Sequence, residues 1–355
     1  MRGERDVYLI YSYLQGWDGI VMFNLSRSLK PLLGLTLWTI AATTVLSSCS
    51  PSKPVSESGQ KSIAVTQIVE HPSLNAIRDG LKEELVQAGY DPEKNLKWSW
   101  ATAQGNPSTA AQIAKKFAGE TPDAIVAIST PSAQTAIAAA PKLPIVFSGV
   151  TDPLGAKLVS NLQSPGGLVT GVSDLAPLFK HLELIRQIMP TVKRVGVLYN
   201  SGESNSVTQI KLLKEAAATQ GLTIVEVTVT NSSEVATAAK SLVGKVDSIY
   251  IPTDNTIVSA LEAVLQVGIA NQLPVYAGDT DSVDRGAIAT LGFNYKDVGK
   301  QTGKLVVRIL KGEKPGAIAV ETPSQLNLVV NPKAAKQMGV IIPDRILKDA
   351  QKVIL

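Results

Sequence analysis

The feature that most constrains the fold of this chain is an internal duplication. The segment IAVTQIVEHPSLNAIRDGLKEELVQAGY has a counterpart later in the chain, VGVLYNSGESNSVTQIKLLKEAAATQGL, and two further blocks recur in the same order. The repeated blocks lie much further apart in sequence than the repeats of a solenoid, whose period is about 20–50 residues. The pattern therefore predicts two homologous lobes. The matched positions lie 132, 124 and 130 residues apart: Ile63 with Val195, Asp123 with Asp247, and Pro144 with Pro274.

Each half alternates short β-branched runs with longer helical patterns. The runs are apolar on both faces, as expected for parallel strands that helices cover on each side. Residues 74–88 carry apolar side chains at three- and four-residue spacing, which predicts a helix that Gly89 ends. The sequence thus predicts an α/β protein with two doubly wound, Rossmann-like parallel-sheet lobes joined by a hinge. The candidate strands are IAVTQI, AIVAIST, PIVFSGV, RVGVLYN, TIVEVTV, SIYIP and PVYAG.

The beginning of the chain has the pattern of a targeting segment. Residues 32–46 are apolar, follow two basic residues and lead into Leu-Ser-Ser-Cys49, the layout of a secretory signal peptide with a site that resembles a lipobox. We predict that residues 1–48 are the signal peptide, that Met22 is the true start, and that Cys49 carries lipid. The polar residues 49–61 then form a tether. These features predict an exported protein that a lipid anchor holds at the membrane.

Ligands of doubly wound sheets bind beyond the carboxyl ends of the strands. Residues just after the strands of both halves are small, hydroxylic, amide or acidic, and most of them open a helix, where unpaired N–H groups attract anions. The structural alternative is that they act only as helix N-caps. Because they recur at equivalent points of both halves, we predict that they bind a ligand in a cleft between the lobes. The predicted ligand-binding residues are His71, Ser73, Thr130, Ser132, Thr151, Asp174, Glu203, Asn205, Ser206, Asp254, Asn255 and Asp279.

Within this set, two groups of residues have distinct expected roles. Ser132 and Thr130, with Ser73 as a further candidate, are expected to bind a ligand carboxylate. Asp279 is the first candidate for a ligand ammonium, and Asp254 is the second because it has an alternative role as an N-cap. Asp152 precedes a proline and is expected to be structural.

The motifs of catalysis are missing from the sequence. The only cysteine lies in the targeting segment, so no Cys/His dyad, cysteine metal cluster or disulfide is available. No G-x-G-x-x-G follows a strand, and GKQTGK at 299–304 departs from a phosphate loop and is interpreted as a helix start. His181 is expected on the surface of a helix. No enzymatic activity, metal or cofactor is predicted.

The charge and the aromatic residues argue against two other classes of ligand, nucleic acids and sugars. A formal net charge of +4, scattered along the chain, does not indicate nucleic-acid binding. Trp98 and Trp100 fall on the same face of a predicted strand, which favours packing over stacking against a sugar in a cleft.

The chain resembles the ABC transporter substrate-binding proteins of the tryptophan/tyrosine-binding type. The resemblance rests on TQIVEHPSLNAIRDGL, STPSAQ, PIVFSGVTDPLGAKLV, GVLYNSGESNS, PVYAGDTDSVDRGAIATLGFNY and VVNPKAAKQMGVIIP, and covers about residues 61–345. It implies a type I periplasmic-binding fold, a permease and an ATPase as partners, and an aromatic amino acid as the usual ligand. It also implies hinge closure on the ligand by a monomer. The loop Ser-Gly-Glu-Ser-Asn-Ser differs from the family pattern, in which Ala precedes the Asn, and so leaves the ligand open.

The same resemblance implies three crossings between the lobes, near Asp174, Leu291 and Pro323. The expected N-lobe comprises residues 62–173 and 292–322, and the expected C-lobe residues 174–291 and 323–355. Alternatives remain at this point: a binding protein for a branched-chain amino acid or a sugar, a sensor domain that signals to a receptor, or an enzyme on the same scaffold.

Overall fold

The computed structural model describes residues 60–355. The predicted signal peptide, Met22, Cys49 and nearly all of the predicted tether lie outside the described residues. In the described part of the chain, no helix is both long enough and apolar enough to cross a membrane.

The first half of the described chain forms a five-stranded parallel sheet in the order β2-β1-β3-β4-β5. We call the part of the protein built around this sheet the N-lobe. The central strand β3 is buried along its whole length because helices cover both faces of the sheet. The strands are β1 Lys61–Gln67, β2 Leu96–Thr102, β3 Ala124–Ile128, β4 Ile145–Val150 and β5 Val169–Ser173.

The second half forms a four-stranded parallel sheet in the order β7-β6-β8-β9, which repeats the order of the first four strands. This sheet is the centre of the C-lobe. The common order confirms the duplication, and every strand proposed from the sequence is present. The strands are β6 Arg194–Asn200, β7 Thr223–Val229, β8 Ser248–Ile251 and β9 Val275–Ala277.

Two aspartates at matched positions have the same structural role in the two sheets. Asp123 accepts a hydrogen bond from the backbone N–H of Ser62 at 2.8 Å, at the start of β1. Asp247 accepts one from the backbone N–H of Arg194, also at 2.8 Å, at the start of β6. Each carboxylate therefore joins the segment before one strand to the beginning of its neighbour, as expected for equivalent halves of a duplicated unit.

Twelve α-helices lie in the described residues and cover the sheets. The predicted helix over 74–88 is present, begins two residues earlier at a proline and ends before Gly89, whose φ is 90°. The helices are α1 Pro72–Gln87, α2 Pro107–Glu120, α3 Thr130–Ala139, α4 Leu178–Ile188, α5 Ser204–Thr219, α6 Val235–Ser241, α7 Asn255–Ser259, α8 Leu261–Ala270, α9 Thr280–Asp284, α10 Tyr295–Leu310, α11 Pro332–Gln337 and α12 Asp344–Asp349.

Helix α10 follows the C-lobe strands in sequence but packs against α1 of the N-lobe. The two helices approach closely at Gly80 and Gly299, where an added Cβ would collide with the backbone carbonyl of the facing helix. The interpretation of GKQTGK as a helix start is wrong, because α10 begins at Tyr295 and this segment lies inside it. Its glycines permit helix–helix contact at a distance that a side chain would prevent.

A third, three-stranded sheet extends the C-lobe. Strand β10 (Ala289–Gly292) pairs antiparallel with β11 (Asn327–Val330), which pairs parallel with β12 (Lys352–Val353). Val329 and Val330 belong to the C-lobe core. Just before β11, the chain still contacts the N-lobe, since the backbone N–H of Glu321 donates to Gly171 of β5 at 2.9 Å.

The expectation that His181 lies on the surface is wrong. Its side chain is buried between α4 and the C-lobe sheet, and both ring nitrogens are paired, Nδ1 with the Tyr250 hydroxyl at 2.7 Å and Nε2 with the Leu291 carbonyl at 2.8 Å. Because the carbonyl can only accept, Nε2 carries the proton and Nδ1 accepts from Tyr250. Burial lowers the pKa of His181 to about 4.

Trp98 and Trp100 lie on β2 at the edge of the N-lobe sheet. Trp98 is half-buried against the N-lobe core, and the Trp100 ring is covered by the Arg78 guanidinium, whose central carbon lies 4.9 Å from the ring centroid. Neither lines the cavities described below, in agreement with a packing role.

Candidate ligand-binding site

A small cavity of about 20 Å³ lies where the carboxyl ends of the N-lobe and C-lobe strands face each other. Both lobes contribute to its walls. The lining residues are His71, Ser73, Leu74, Thr130, Gly149, Thr151, Asp174, Asn205, Thr253, Asn255, Val258, Asp279 and Tyr295.

Most of the residues proposed from the sequence line this cavity, and four do not. Ser132 lies two residues after Thr130 on α3, and Glu203, Ser206 and Asp254 are buried within the C-lobe wall, where Glu203 also lines the second cavity described below. Hydrogen bonds to neighbouring segments hold the carboxylates of Asp254 and Glu203 in this wall.

The cavity also contains residues that sequence reasoning missed. Four of them lie near the predicted site residues in sequence and complete the lining: Leu74, Gly149, Thr253 and Val258. Tyr295 begins α10, after a crossing between the lobes. It was missed because only the residues directly after the predicted strands were expected to bind the ligand.

Three buried hydroxyl groups at the N-lobe wall have no hydrogen-bond partner among the described residues, and one of them, that of Thr130, lines the cavity. The side-chain oxygens of Ser129, Thr130 and Ser132 are buried and unpaired at the N-terminus of α3. Ser129 has a φ of 82°, which is unusual for a residue with a side chain. Buried polar groups are ordinarily hydrogen-bonded, and the start of a ten-residue helix adds free N–H groups. This wall can therefore bind an anionic group.

The C-lobe wall, in contrast, is held by buried carboxylates whose oxygens are occupied. Asp254 accepts from the backbone N–H of Ile257 at 2.8 Å, which makes it the N-cap of α7. It also accepts from the Ser206 hydroxyl and the backbone N–H of Asn200, both at 2.6 Å. Burial and the nearby charge of Glu203 raise the pKa of Asp254 to about 7. Asp254 thus has the capping role given as its alternative.

Asp279 lies on the cavity and joins the two lobes. It caps α9 by accepting from Ser282, through the backbone N–H at 2.8 Å and the hydroxyl at 2.6 Å. From the N-lobe, the Ser73 hydroxyl donates to Asp279 Oδ1 at 2.9 Å. The hydrogen-bond partners of this buried carboxylate are two hydroxyl groups and one backbone N–H.

A second carboxylate, that of Asp174, lines the same cavity at the end of β5. It accepts from the Tyr295 hydroxyl at 2.9 Å and from the Thr151 hydroxyl at 3.5 Å. Burial, together with the charge of Asp279, raises the pKa of Asp174 to about 6. The two carboxylates therefore interact through the cavity, and a cation between them would relieve their repulsion.

His71 lies at the start of α1 and is fully enclosed. Burial and the nearby Arg285 charge lower its pKa to about 3, although a hydrogen bond with Asn255 acts in the opposite direction. The imidazole is therefore neutral at physiological pH, with one N–H donor and one acceptor nitrogen. Its Nδ1 atom is buried and has no partner among the described residues.

A second, larger cavity of about 580 Å³ shares Asn255 with the first one. Gln134 of α3 and Ser204 of α5 lie on opposite lobes here, and the Gln134 amide approaches the Ser204 hydroxyl to 3.4 Å. The inner cavity and this outer cavity thus meet at Asn255, and both lobes line the outer one.

Residues 62–354 match the family described as ABC transporter substrate binding protein. The protein belongs to this family. Its fold is the type I periplasmic-binding fold, and the family consists of solute-binding proteins, not enzymes. Among curated proteins, the chain is 37% identical to a tyrosine-binding protein of Clostridioides difficile over 318 residues, which is 87% of this chain and 92% of the relative.

Two solved structures allow a comparison of the lobe arrangement. The ABC domain from Streptococcus pneumonia in complex with L-Trp is 38% identical, with 83% of this chain and 100% of that chain covered, and gives a TM-score of 0.81. The ligand-free, open structure of a substrate-binding protein with adhesive properties from Clostridium difficile is 39% identical, with 82% and 99% covered, and gives 0.63. At equal identity and coverage, the arrangement described here is nearer to that of the L-Trp complex.

Proposed function

We propose that this protein captures an aromatic L-amino acid in the inner cavity and delivers it to the permease and ATPase of an ABC importer. The observation that carries the proposal is that the cavity brings together the unpaired hydroxyl of Thr130 at the start of α3 and a pair of carboxylates, Asp174 and Asp279. An α-amino acid offers the complementary carboxylate and ammonium. Similarity to the tyrosine-binding protein and to the L-Trp complex supports the aromatic class.

The ligand carboxylate is assigned to the start of α3. The buried hydroxyls of Thr130 and Ser132 have no partner among the described residues, and the helix N-terminus favours negative charge. Ser73, which the sequence also suggested for this role, donates its hydroxyl to Asp279 and is therefore assigned to the ammonium side.

The ligand ammonium is assigned to Asp279, with Asp174 as a second negative group. An ammonium that leaves water must be paired, or its desolvation is costly. Leu74, Val258 and the Tyr295 ring supply apolar surface for the side chain.

Binding is proposed to close the lobes about their crossings, at the boundaries that the sequence suggested. The Ser73–Asp279 hydrogen bond and the Gln134–Ser204 contact join the two lobes, so both form only when the lobes approach. A ligand that touches both lobes stabilises that arrangement through its differential affinity. The protein is proposed to act as a monomer.

A thermal-shift screen of the twenty amino acids, several sugars and purines tests this function. L-tryptophan or L-tyrosine should raise the unfolding temperature most, since a ligand at 100 times its Kd adds about 2.7 kcal/mol of stability. A larger shift with a sugar or a branched-chain amino acid would replace the aromatic assignment. No shift with any of these compounds would refute amino-acid capture.

The proposal includes attachment to the membrane through a lipid on Cys49. A diacyl group supplies the two chains that stable anchoring normally requires. Cys49→Ser should yield an unprocessed precursor or a soluble, released protein, and deletion of residues 1–21 should leave export intact if Met22 is the start. Mass spectrometry that finds an unmodified Cys49 in the mature protein would refute the anchor.

A further inference from the structure

Two buried carboxylates from opposite lobes, those of Asp174 and Asp279, line the inner cavity. Resting on the proposed function, we infer that this pair keeps the ligand-free protein open at neutral pH, because closure would bring two like charges together. A ligand ammonium that enters between the carboxylates removes their repulsion, and a proton taken up from solvent does the same. Closure is thus coupled to the arrival of a positive charge, so that at neutral pH the closed form marks the loaded protein.

Each of the two carboxylates is fixed to its own lobe. Asp174 directly follows β5 of the N-lobe sheet, and its backbone N–H donates to the Val150 carbonyl of β4 at 3.2 Å. Asp279 lies two residues after the end of β9 in the C-lobe and caps α9. The cavity that both line has a volume of about 20 Å³, little more than the space of about 10–15 Å³ that a single water needs. The approach of the lobes therefore sets the distance between the two negative groups.

The groups that donate hydrogen bonds to the two carboxylates are neutral. Asp174 accepts from the hydroxyls of Tyr295 at 2.9 Å and Thr151 at 3.5 Å. Asp279 accepts from two serine hydroxyls and one backbone N–H, at 2.6–2.9 Å. Such donors lower the cost of burying each charge, but they do not cancel the repulsion between two like charges that share a site. The closed form is therefore favoured only when a positive group or a proton joins the pair.

Two cationic side chains near the site are already paired with other carboxylates. Arg285, whose charge acts on His71 of the cavity, binds both carboxylate oxygens of Glu262 at 2.8 Å. Lys352 pairs with Asp284 at 2.7 Å. His71 itself is neutral, because burial and the Arg285 charge lower its pKa to about 3. The positive charge that favours closure must therefore come from the ligand or from solvent.

The titration of the groups around the pair agrees with this geometry. Burial and the Asp279 charge raise the pKa of Asp174 to about 6, although the Tyr295 hydrogen bond acts in the opposite direction. The hydroxyls of Tyr250 and Tyr295 stay protonated, because burial and the nearby carboxylates raise their pKa. Asp281 of α9 does not line the cavity, but burial and the Asp279 charge raise its pKa to about 6 as well. The contribution of Asp174 must therefore be measured against a variant that retains Asp281.

Small-angle X-ray scattering of the ligand-free protein at pH 5 and pH 7.5, at constant ionic strength, measures the ratio of closed to open protein. The pKa of Asp174 is about 6 in the closed form and 3.8 in an unperturbed chain, so its proton favours closure at low pH. This linkage should raise the closed-to-open ratio about tenfold as the pH falls from 7.5 to 5, and the gain is lost as the pH rises through 6.

The variant Asp174→Asn isolates this effect. Asparagine resembles the protonated acid, so the closed-to-open ratio at pH 7.5 should be about tenfold above that of the wild type, and the rise due to this residue should vanish. Asp281 is present in both proteins, and its contribution cancels when their ratios are compared. Asp152→Asn is the matched control, because Asp152 follows β4 of the same lobe, lies outside the cavity and should leave the pH dependence of the wild type unchanged.

Scattering with L-tryptophan and L-tyrosine separates this inference from the proposed function. If either ligand closes the wild type at pH 7.5 but the ligand-free ratio does not change with pH, or changes equally in Asp174→Asn, the inference is overturned and the proposed function stands. If neither ligand closes the protein, both are overturned. Should Asp174→Asn not fold, Tyr295→Phe removes a hydrogen bond that lowers the pKa of Asp174 and should move the midpoint of the pH dependence upward. An unchanged midpoint in that variant refutes the inference.

Discussion

The two walls of the cavity descend from the same duplicated unit but use their hydrogen-bonding groups differently. In the offset that matches Asp123 with Asp247, Thr130 corresponds to Asp254 and Ser132 to Thr256. The N-lobe hydroxyls are buried and unpaired among the described residues. Their C-lobe counterparts are engaged: Asp254 accepts from three groups, and the Thr256 hydroxyl donates to Glu203 at 2.9 Å.

This difference separates the groups that await a ligand from those that build the site. Unpaired buried donors are costly in the folded protein and gain their partner on binding, so their removal should affect affinity. Paired groups contribute in the absence of ligand, so their removal should affect stability. The C-lobe wall includes one exception, Asp279, which is paired with hydroxyls and still faces the cavity.

The largest expected effect is the loss of ligand affinity when Asp279 is replaced. Asp279→Asn should weaken binding of the aromatic amino acid by about 2–5 kcal/mol, the scale for removing one member of a buried charge pair. The fold should persist, because an asparagine can still cap α9. Titration calorimetry gives the affinity, and circular dichroism verifies the fold.

Ligands without the amine make this test specific. Indole-3-propionate and 3-(4-hydroxyphenyl)propionate retain the carboxylate and the ring, so Asp279→Asn should affect their binding much less. Asp152→Asn is a control, since Asp152 accepts from the backbone N–H of Gly155 at 2.8 Å and does not line the cavity. Equal losses for the amines and for their deaminated analogues would place the ammonium partner elsewhere.

The next largest effect is on the free energy of unfolding and concerns the C-lobe wall, whose polar side chains are hydrogen-bonded to one another. Thr256→Val keeps the shape of the side chain but removes the hydrogen bonds that join it to Glu203 and to the Asn200 amide, each 2.9 Å long. The free energy of unfolding without ligand should fall by about 1–3 kcal/mol, because buried partners lose their hydrogen bonds. Urea unfolding measures the change. An unchanged midpoint would show that this wall is not held by its internal network.

The corresponding change at the N-lobe wall, whose hydroxyls are unpaired among the described residues, should reduce ligand affinity and leave stability intact. Ser132→Ala should leave the stability of the ligand-free protein unchanged or slightly higher and should weaken amino-acid binding by about 1–2 kcal/mol, as for a hydrogen bond to a charged group. Paired measurements of unfolding and affinity on both variants decide the comparison. A loss of stability without a loss of affinity in Ser132→Ala would place the ligand carboxylate elsewhere.

The strands follow from the sequence because local patterns predict them. Short β-branched runs between helical segments predict buried parallel strands, and the repeat predicts two lobes with a common topology. The positions after each strand were predictable for the same reason, since the geometry of a parallel sheet places them at one edge.

Contacts between residues that are far apart in sequence were not predictable in this way. Tyr295 reaches Asp174 across 121 residues because α10 returns to the N-lobe, and no local pattern indicates that hydrogen bond. Glu203 and Asp254 follow strands as cleft residues do, but their partners on neighbouring segments draw both carboxylates into the wall. His181 looks like a surface residue within its own helix, but Tyr250 of β8 and Leu291 of β10 pack against it and bury it.

The smallest expected effect is a pH dependence that reports on the paired wall. The pKa of Asp254 is about 7 in the folded protein and 3.8 in an unperturbed chain, so the folded state retains its proton to a higher pH. The stability that this proton contributes is present below about pH 4 and is lost as the pH rises through 7, by at most about 1.4 kcal/mol per pH unit.

The histidines act in the opposite sense: their folded pKa values are lowered, so their contribution is lost as the pH falls below 6.5. Both histidines are also present in Asp254→Asn, so their contributions cancel when the unfolding free energies of the two proteins are compared. The remaining difference is due to Asp254. Between pH 6 and 8, the unfolding free energy of the wild type should therefore fall relative to that of Asp254→Asn, as measured by urea unfolding at constant ionic strength. Parallel pH profiles would mean that the Asp254 carboxylate is already ionised throughout this range, held by the hydroxyl of Ser206 and the backbone N–H groups around it.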